Sequence, residues 1–305
     1  MKGCKKEIMK KGVLITYSPR LTVDGAGVRL RRVFGGMSSV PFTDPFLLLD
    51  DFGSSNPEDF LSGFPWHPHR GIETVTYVLD GKVEHEDSEG NRGIIYPNEV
   101  QWMTAGSGIF HQEMPKLIDK SDGQKILMSN SSVRGFQLWV NLPAGMKMTN
   151  PVYRPISADR IPTIELERGG RVKVIAGKFG QYEGALKTKS PVDPVYMDVA
   201  LDEGSEFSYF LREGYRAIIY PFKGNGLING KTADSGRAYV LTEEGEEINA
   251  SSEKGMRFLL LAGRPLNEPV AWYGPIVMNT YEQLQTAFRE LSEGTFIKQK
   301  EPEFQ

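Results

Sequence analysis

FPWHPHRGIETVTYVLDG, residues 64–81, sets two histidines, His67 and His69, two positions apart just ahead of a β-branched run. On an extended chain residues i and i+2 leave the same face, so one strand offers two imidazoles to one ion. Outward from this stretch, short β-branched and aromatic runs recur every eight to twelve residues, at 28–34, 46–52, 73–79, 92–96 and 136–141, separated by Gly, Asn, Asp or Pro. That spacing predicts a sandwich or barrel. Ser88 to Asn91 predicts a hairpin turn between 82–87 and 92–96. With 33 glycines and 19 prolines in 305 residues, the composition favours many tight turns between short strands.

At about 150 residues per domain the length predicts two domains, each able to bury a core unaided. A Pro-punctuated stretch with Pro143, Pro151, Pro155 and Pro162 marks the boundary, giving domains 1–142 and 143–305. Beyond it the runs 171–176, 195–201, 206–212, 216–222, 237–242 and 256–262 predict a second β-barrel. Thr280 and Gln283 fit a capping box. Leu284, Ala287, Phe288 and Leu291 then follow at helical spacing before Gly294. This C-terminal helix is expected to cover a barrel surface and carry no chemistry.

Several classes are excluded. The longest apolar runs, such as 258–263, fall far short of the roughly 20 residues a bilayer crossing needs. The basic N-terminus has an apolar piece only from Val13 to Tyr17, too short for a secretory signal, which predicts a cytoplasmic protein with a solvated basic tail. Cys4 is the one cysteine, so disulfides, thiolate zinc sites and a Cys nucleophile are not expected. A net charge of −3 without a basic stripe argues against direct nucleic-acid binding. Arg29, Arg31 and Arg32 are read as a solvated face.

The chemistry concentrates in the first domain. In EVQWMTAGSGIFHQEMP, residues 99–115, His111 and Glu113 again stand two apart. Two ligand pairs on separate extended segments would converge, if those segments lie side by side, as three neutral nitrogens and one carboxylate around a cation. An isolated His-x-His is more often a polar accident; two pairs using three of the four histidines are not. His85, in the charged run Glu84 to Asp87, is read as solvated. Phe64, Trp66, Met103, Ile109 and Phe110 are candidates to line a pocket for a flat ring, although each is by default core.

HPHRGIETVTYVLDG followed by EDSEGNRGIIYPNEVQWMTAGSGIFHQEMP resembles the signature of the pirin family within the cupin superfamily. DPFLLLDDFG (44–53) and YGPIVMNTYEQLQTAF (273–288) resemble its flanking and terminal motifs. The resemblance implies an all-β bicupin, two cupin barrels face to face plus a short C-terminal helix. It also implies one iron-type site in the first barrel, at His67, His69, His111 and Glu113. In most cupins a glutamate after His-x-His is itself a ligand, and Glu73 stands at that place, so Glu73 is the runner-up ligand. The second barrel has no histidine and is expected to be structural, or a lid.

Three imidazoles and one carboxylate around a divalent ion leave net charge +1 and, for iron, two of six octahedral positions open. Iron(II) is expected; nickel, cobalt, copper, manganese or zinc also suit such ligands. Glu113 would be both fourth ligand and base toward a phenolic hydroxyl. The resemblance implies quercetin 2,3-dioxygenase activity, with a flavonol-like substrate and O2. The alternative it carries is an iron-dependent, redox-sensitive protein-binding module, a transcriptional co-regulator with a protein partner. A third option is a zinc-filled or empty site without catalysis.

Overall fold

The computed structural model of the protein describes residues 9–118 and 132–298, so Cys4 lies outside the described residues. The described chain divides into two compact units built from interleaved stretches: residues 20–41, 46–158 and 266–298 in one, and 9–19, 42–45 and 159–265 in the other. The expected boundary at 142/143 falls inside the stretch 46–158. The chain there continues into Val152–Ile156, a strand that pairs with Val100–Thr104 and extends the first unit's sheet.

The first unit, which carries the histidines, has a seven-stranded sheet. Its order is Val152–Ile156, Val100–Thr104, Ile72–Asp80, Val133–Asn141, Phe46–Ser54, Val28–Gly35 and Arg20–Asp24. A four-stranded sheet runs Phe64–His69, Ile109–Lys116, Lys82–Asp87 and Arg92–Ile95. Neighbouring strands in both are antiparallel. The hairpin predicted around Ser88 to Asn91 is present, with Val83 opposite Ile95. Alternation decides what each strand buries. Along Ile109–Lys116, Ile109, His111, Glu113 and Pro115 are buried and the residues between are half-buried. Val28, Leu30, Phe52, Val78 and Val133 of the larger sheet meet Val83 and Ile95 of the smaller in one apolar cluster.

The second unit repeats the pattern. Seven strands run Val13–Tyr17, Ala238–Leu241, Arg216–Gly224, Met256–Gly263, Val195–Leu201, Arg171–Ala176 and Thr163–Glu165. Four more run Ser205–Phe210, Glu247–Ser252, Gly226–Ile228 and Lys231–Ala233. Residues 13–17 are thus a paired strand and not part of a solvated tail. Lys11 just before them is 1 % exposed and donates to the carbonyls of Tyr215, Thr242 and Glu243.

The helix forms as the sequence predicts, over Tyr281–Glu293. The Thr280 side chain accepts from the Gln283 N–H, the Gln283 side chain accepts from the Thr280 N–H, and Gly294 stops the helix at φ +72. It belongs to the histidine-bearing unit, where Leu284 and Ala287 pack on Ile276, Met278 and Phe296. Among the described residues, no helix is long and apolar enough to cross a membrane.

Candidate metal centre

Phe64–His69 and Ile109–Lys116 are neighbouring strands, with His111 opposite His67 and Ile109 opposite His69. The side-by-side placement that convergence requires is therefore present. One nitrogen from each of His67, His69 and His111 lies within 4.8 Å of the others. The register slips between His111 and Glu113, where Glu113 faces Phe64, so the partner strand carries one residue more around Pro65 and Trp66. A bulge re-aims nearby groups, and Pro65 has no N–H to give the ladder. The Pro65 carbonyl accepts from His67 Nδ1 at 2.8 Å.

Tautomers follow from these outer contacts. The Pro275 carbonyl takes His69 Nδ1 at 3.0 Å, so both rings carry their hydrogen on Nδ1 and turn the lone pair of Nε2 inward. The two Nε2 atoms face each other at 3.1 Å. With no hydrogen between them this is a repulsive arrangement that a cation relieves. Two imidazole nitrogens bound cis to one octahedral ion at about 2.1 Å stand about 3 Å apart. His111 is 1 % exposed, and neither of its ring nitrogens has a hydrogen-bond partner among the described residues, an unpaired state that costs free energy unless an ion engages it. Burial drives all three rings toward the neutral, ligating form. His67 is lowered, His69 falls to about 3 with help from His67, and His111 lies well below the usual imidazole value. The residues present therefore fit a transition-metal ion.

The carboxylates divide. Glu113 is buried on the same face as His111, yet its oxygens fall outside the 4.8 Å group. Its Oε1 is 2.6 Å from Thr76 Oγ1, and burial pushes it up to about 7, opposed by that hydrogen bond. Glu73 stands on Ile72–Asp80, away from the cluster. It accepts from Thr104 Oγ1 at 2.6 Å and lies 3.8 Å from Arg154, which makes it a buried ion-pair group. His85 is not solvated: it is 5 % exposed, sits opposite Glu113 in the ladder, and contacts Tyr153 Oη at 2.7 Å. The alternation of Lys82–Asp87 turns it inward, which its charged neighbours conceal.

His67, His69 and Glu113 open onto a cavity of about 690 Å³ within this unit. Of the five expected lining residues, Phe64 and Trp66 are there. Met103 and Ile109 sit instead in an apolar cluster with Leu47 and Ile72, and Phe110 packs on Phe296. Sequence reasoning missed Trp139, Trp272, Thr76 and Gln137. Trp139 meets His69 edge-on at 5.0 Å and Trp272 at 5.9 Å. Strand parity from 136–141 could have found Gln137 and Trp139 together; nothing local points to Trp272. Arg32 is also a wall residue, pairing with Asp50 at 2.9 Å and Asp24 at 2.7 Å, and so is no part of a solvated face. Arg31 pairs with buried Asp51 at 3.2 Å.

Residues 27–140 match the family described as Pirin, and residues 196–297 match the Pirin C-terminal cupin domain. A Thermoplasma acidophilum protein named provisionally as a quercetin 2,3-dioxygenase is 48% identical over 260 residues, covering 83% of this chain and 100% of its own. A solved quercetin 2,3-dioxygenase from Acinetobacter baumannii superposes with TM-score 0.84 at 34% identity, covering 94% of this chain and 99% of that one. An Escherichia coli pirin in complex with nickel(II) shares the fold, with TM-score 0.61 at 20% identity over 82% of this chain and 98% of that one.

Proposed function

Since the chain belongs to the pirin family, we propose that it is a metal-dependent dioxygenase of the quercetin 2,3-dioxygenase type, opening the central ring of a flavonol with O2 and releasing carbon monoxide. The observation that carries this reading is the triangle of neutral imidazoles at the wall of a tryptophan-lined cavity roomy enough for a flat polyphenol. His67, His69 and His111 would hold the ion, proposed to be iron(II). Once bound, it supplies a Lewis acid that eases ionisation of an enolic hydroxyl and a redox centre for chemistry with dioxygen.

The protein's own part is positioning and proton transfer. Trp66, Trp139 and Trp272 line the cavity and supply aromatic surface for a flat ring to pack on. Glu113, poised near neutrality by burial, takes the proton of the flavonol 3-hydroxyl, and it is also the fourth group that can approach the ion. Half-buried His67 and buried His69 and His111 hold their ring nitrogens in a largely desolvated wall, which favours the neutral, ligating form.

The test is oxygen uptake by metal-loaded protein with a flavonol, alongside elemental analysis of protein purified without chelating resin. Uptake stoichiometric with flavonol loss, absent from His111→Ala, supports the proposal. Equal rates in the two proteins remove it.

A further inference from the structure

The hydroxyl of Thr76 is placed to do more than fill a buried space. Thr76 lies on Ile72–Asp80 and pairs in register with Gln137 on Val133–Asn141, and both side chains reach the cavity wall. Thr76 Oγ1 is 2.6 Å from Glu113 Oε1 and 2.6 Å from the Gln137 side-chain amide at Oε1. A hydroxyl carries one hydrogen, so it donates to one of these groups and accepts from the other. An ionised carboxylate has no hydrogen to give. With Glu113 ionised, as it must be to engage a cation, the arrangement that satisfies all three has Thr76 donating to Glu113 and the Gln137 amide turned, so that its NH2 donates to Thr76. Among the described residues no hydrogen bond engages Glu113 Oε2.

We propose that Thr76, backed by Gln137, is a positioning residue that ties down Glu113 Oε1, so that the carboxylate presents only Oε2 to the ion and the substrate. The proposal rests on the reading of Glu113 as the working carboxylate of a metal-dependent reaction. Its consequence is coordinative. A carboxylate free to use both oxygens would fill two positions beside the three imidazoles and leave one of six, whereas a carboxylate held by one oxygen leaves two for the two reactants. The restraint also keeps the proton-accepting oxygen in one place, which proton transfer requires. The hydroxyl and amide are neutral, so they do this without altering the charge of the site.

The experiment uses the full chain loaded with cobalt(II), whose visible absorption reports coordination number independently of turnover. Thr76→Val keeps the shape and removes the hydroxyl; Thr76→Ser keeps the hydroxyl. Thr76→Val is expected to weaken the visible bands, as a second carboxylate oxygen reaches the ion. With the native metal it should lower kcat by about 10- to 100-fold while KM for the flavonol changes less than kcat, the range typical of removing an outer hydrogen-bond partner at a metal site. Thr76→Ser should restore both readouts to near wild type. Gln137→Leu should move both the same way by less, and serves if Thr76→Val does not fold. Unchanged cobalt bands in the Thr76→Val protein, or failure of Thr76→Ser to rescue, would overturn the proposal. Glu113→Gln separates the levels. If it alters bands and turnover while Thr76→Val does not, the positioning role falls and the reading of Glu113 stands. If neither alters them, both fall.

Discussion

Both units set a four-stranded sheet beside a seven-stranded one, but the leading strand pair of the small sheet is filled differently in each. In the first, Phe64–His69 against Ile109–Lys116 brings three imidazoles together beside Glu113 and a cavity. In the second, Ser205–Phe210 against Glu247–Ser252 sets Phe207 opposite Ala250 and Tyr209 opposite Ile248. Phe207, Ile248 and Ala250 are buried, and Phe207, Phe179 and Tyr209 form a group of near-parallel rings, with Phe207 at 5.6 Å from Phe179 and 6.3 Å from Tyr209. One scaffold thus supports a polar centre where its inward residues stay unfilled by hydrocarbon, and an ordinary core where they do not. In the proposed reading the chemistry belongs to four side chains, not to the sheet.

Substitutions can break that contrast. His111→Ala should have the largest effect, on metal. Retention after dialysis, read by elemental analysis, should fall by more than the roughly 10- to 100-fold that losing an outer partner costs, while the fold survives, because an unpaired buried ring is removed. Phe207→Ala should do the reverse, costing about 3–5 kcal/mol in urea unfolding with metal content unchanged. If Phe207→Ala empties the ion site, the two units do not divide labour as described.

A buried lysine in each unit sharpens the comparison through pH. Lys147 Nζ donates to the carbonyls of Gly71 and Val277 and to Asn141 Oδ1, as Lys11 does to three carbonyls in the other unit. Burial pulls Lys147 down to about 7. Below that value folded and unfolded chains both hold the proton. Between about 7 and the ordinary lysine value of about 10.4 the unfolded chain binds more protons, so stability attributable to Lys147 rises with pH. Wild type should therefore gain on Lys147→Met by up to about 1.4 kcal/mol per pH unit across that window, measured by urea unfolding at pH 7, 8 and 9. A flat difference would contradict the shift. The smallest effect is expected from Thr280→Ala, about 1 kcal/mol through loss of the helix cap. Because the helix belongs to the histidine-bearing unit, faster amide exchange should appear there and not in residues 171–176.

Much of this was legible in the sequence. The strands 171–176 and 195–201 coincide with those formed, and the helix came with both caps written in Thr280, Gln283 and Gly294. The three imidazoles were legible because the two-residue period of a strand is strict. What escaped depended on long-range return. The Pro275 carbonyl reaches His69 from 206 residues away in the chain, Trp272 reaches the cavity wall by packing on Trp139, and Val13–Tyr17 gains its meaning only from pairing with Ala238–Leu241. His85 misled because charged neighbours suggest solvent, whereas parity decides.

The Pro275 carbonyl that orients His69 has a temporal consequence. Ribosomes deliver residue 69 long before residue 275, so a nascent chain lacks the acceptor that fixes that ring's tautomer until 206 further residues have been added. An ion meeting the three imidazoles before that point would find His69 without the acceptor that holds its ring.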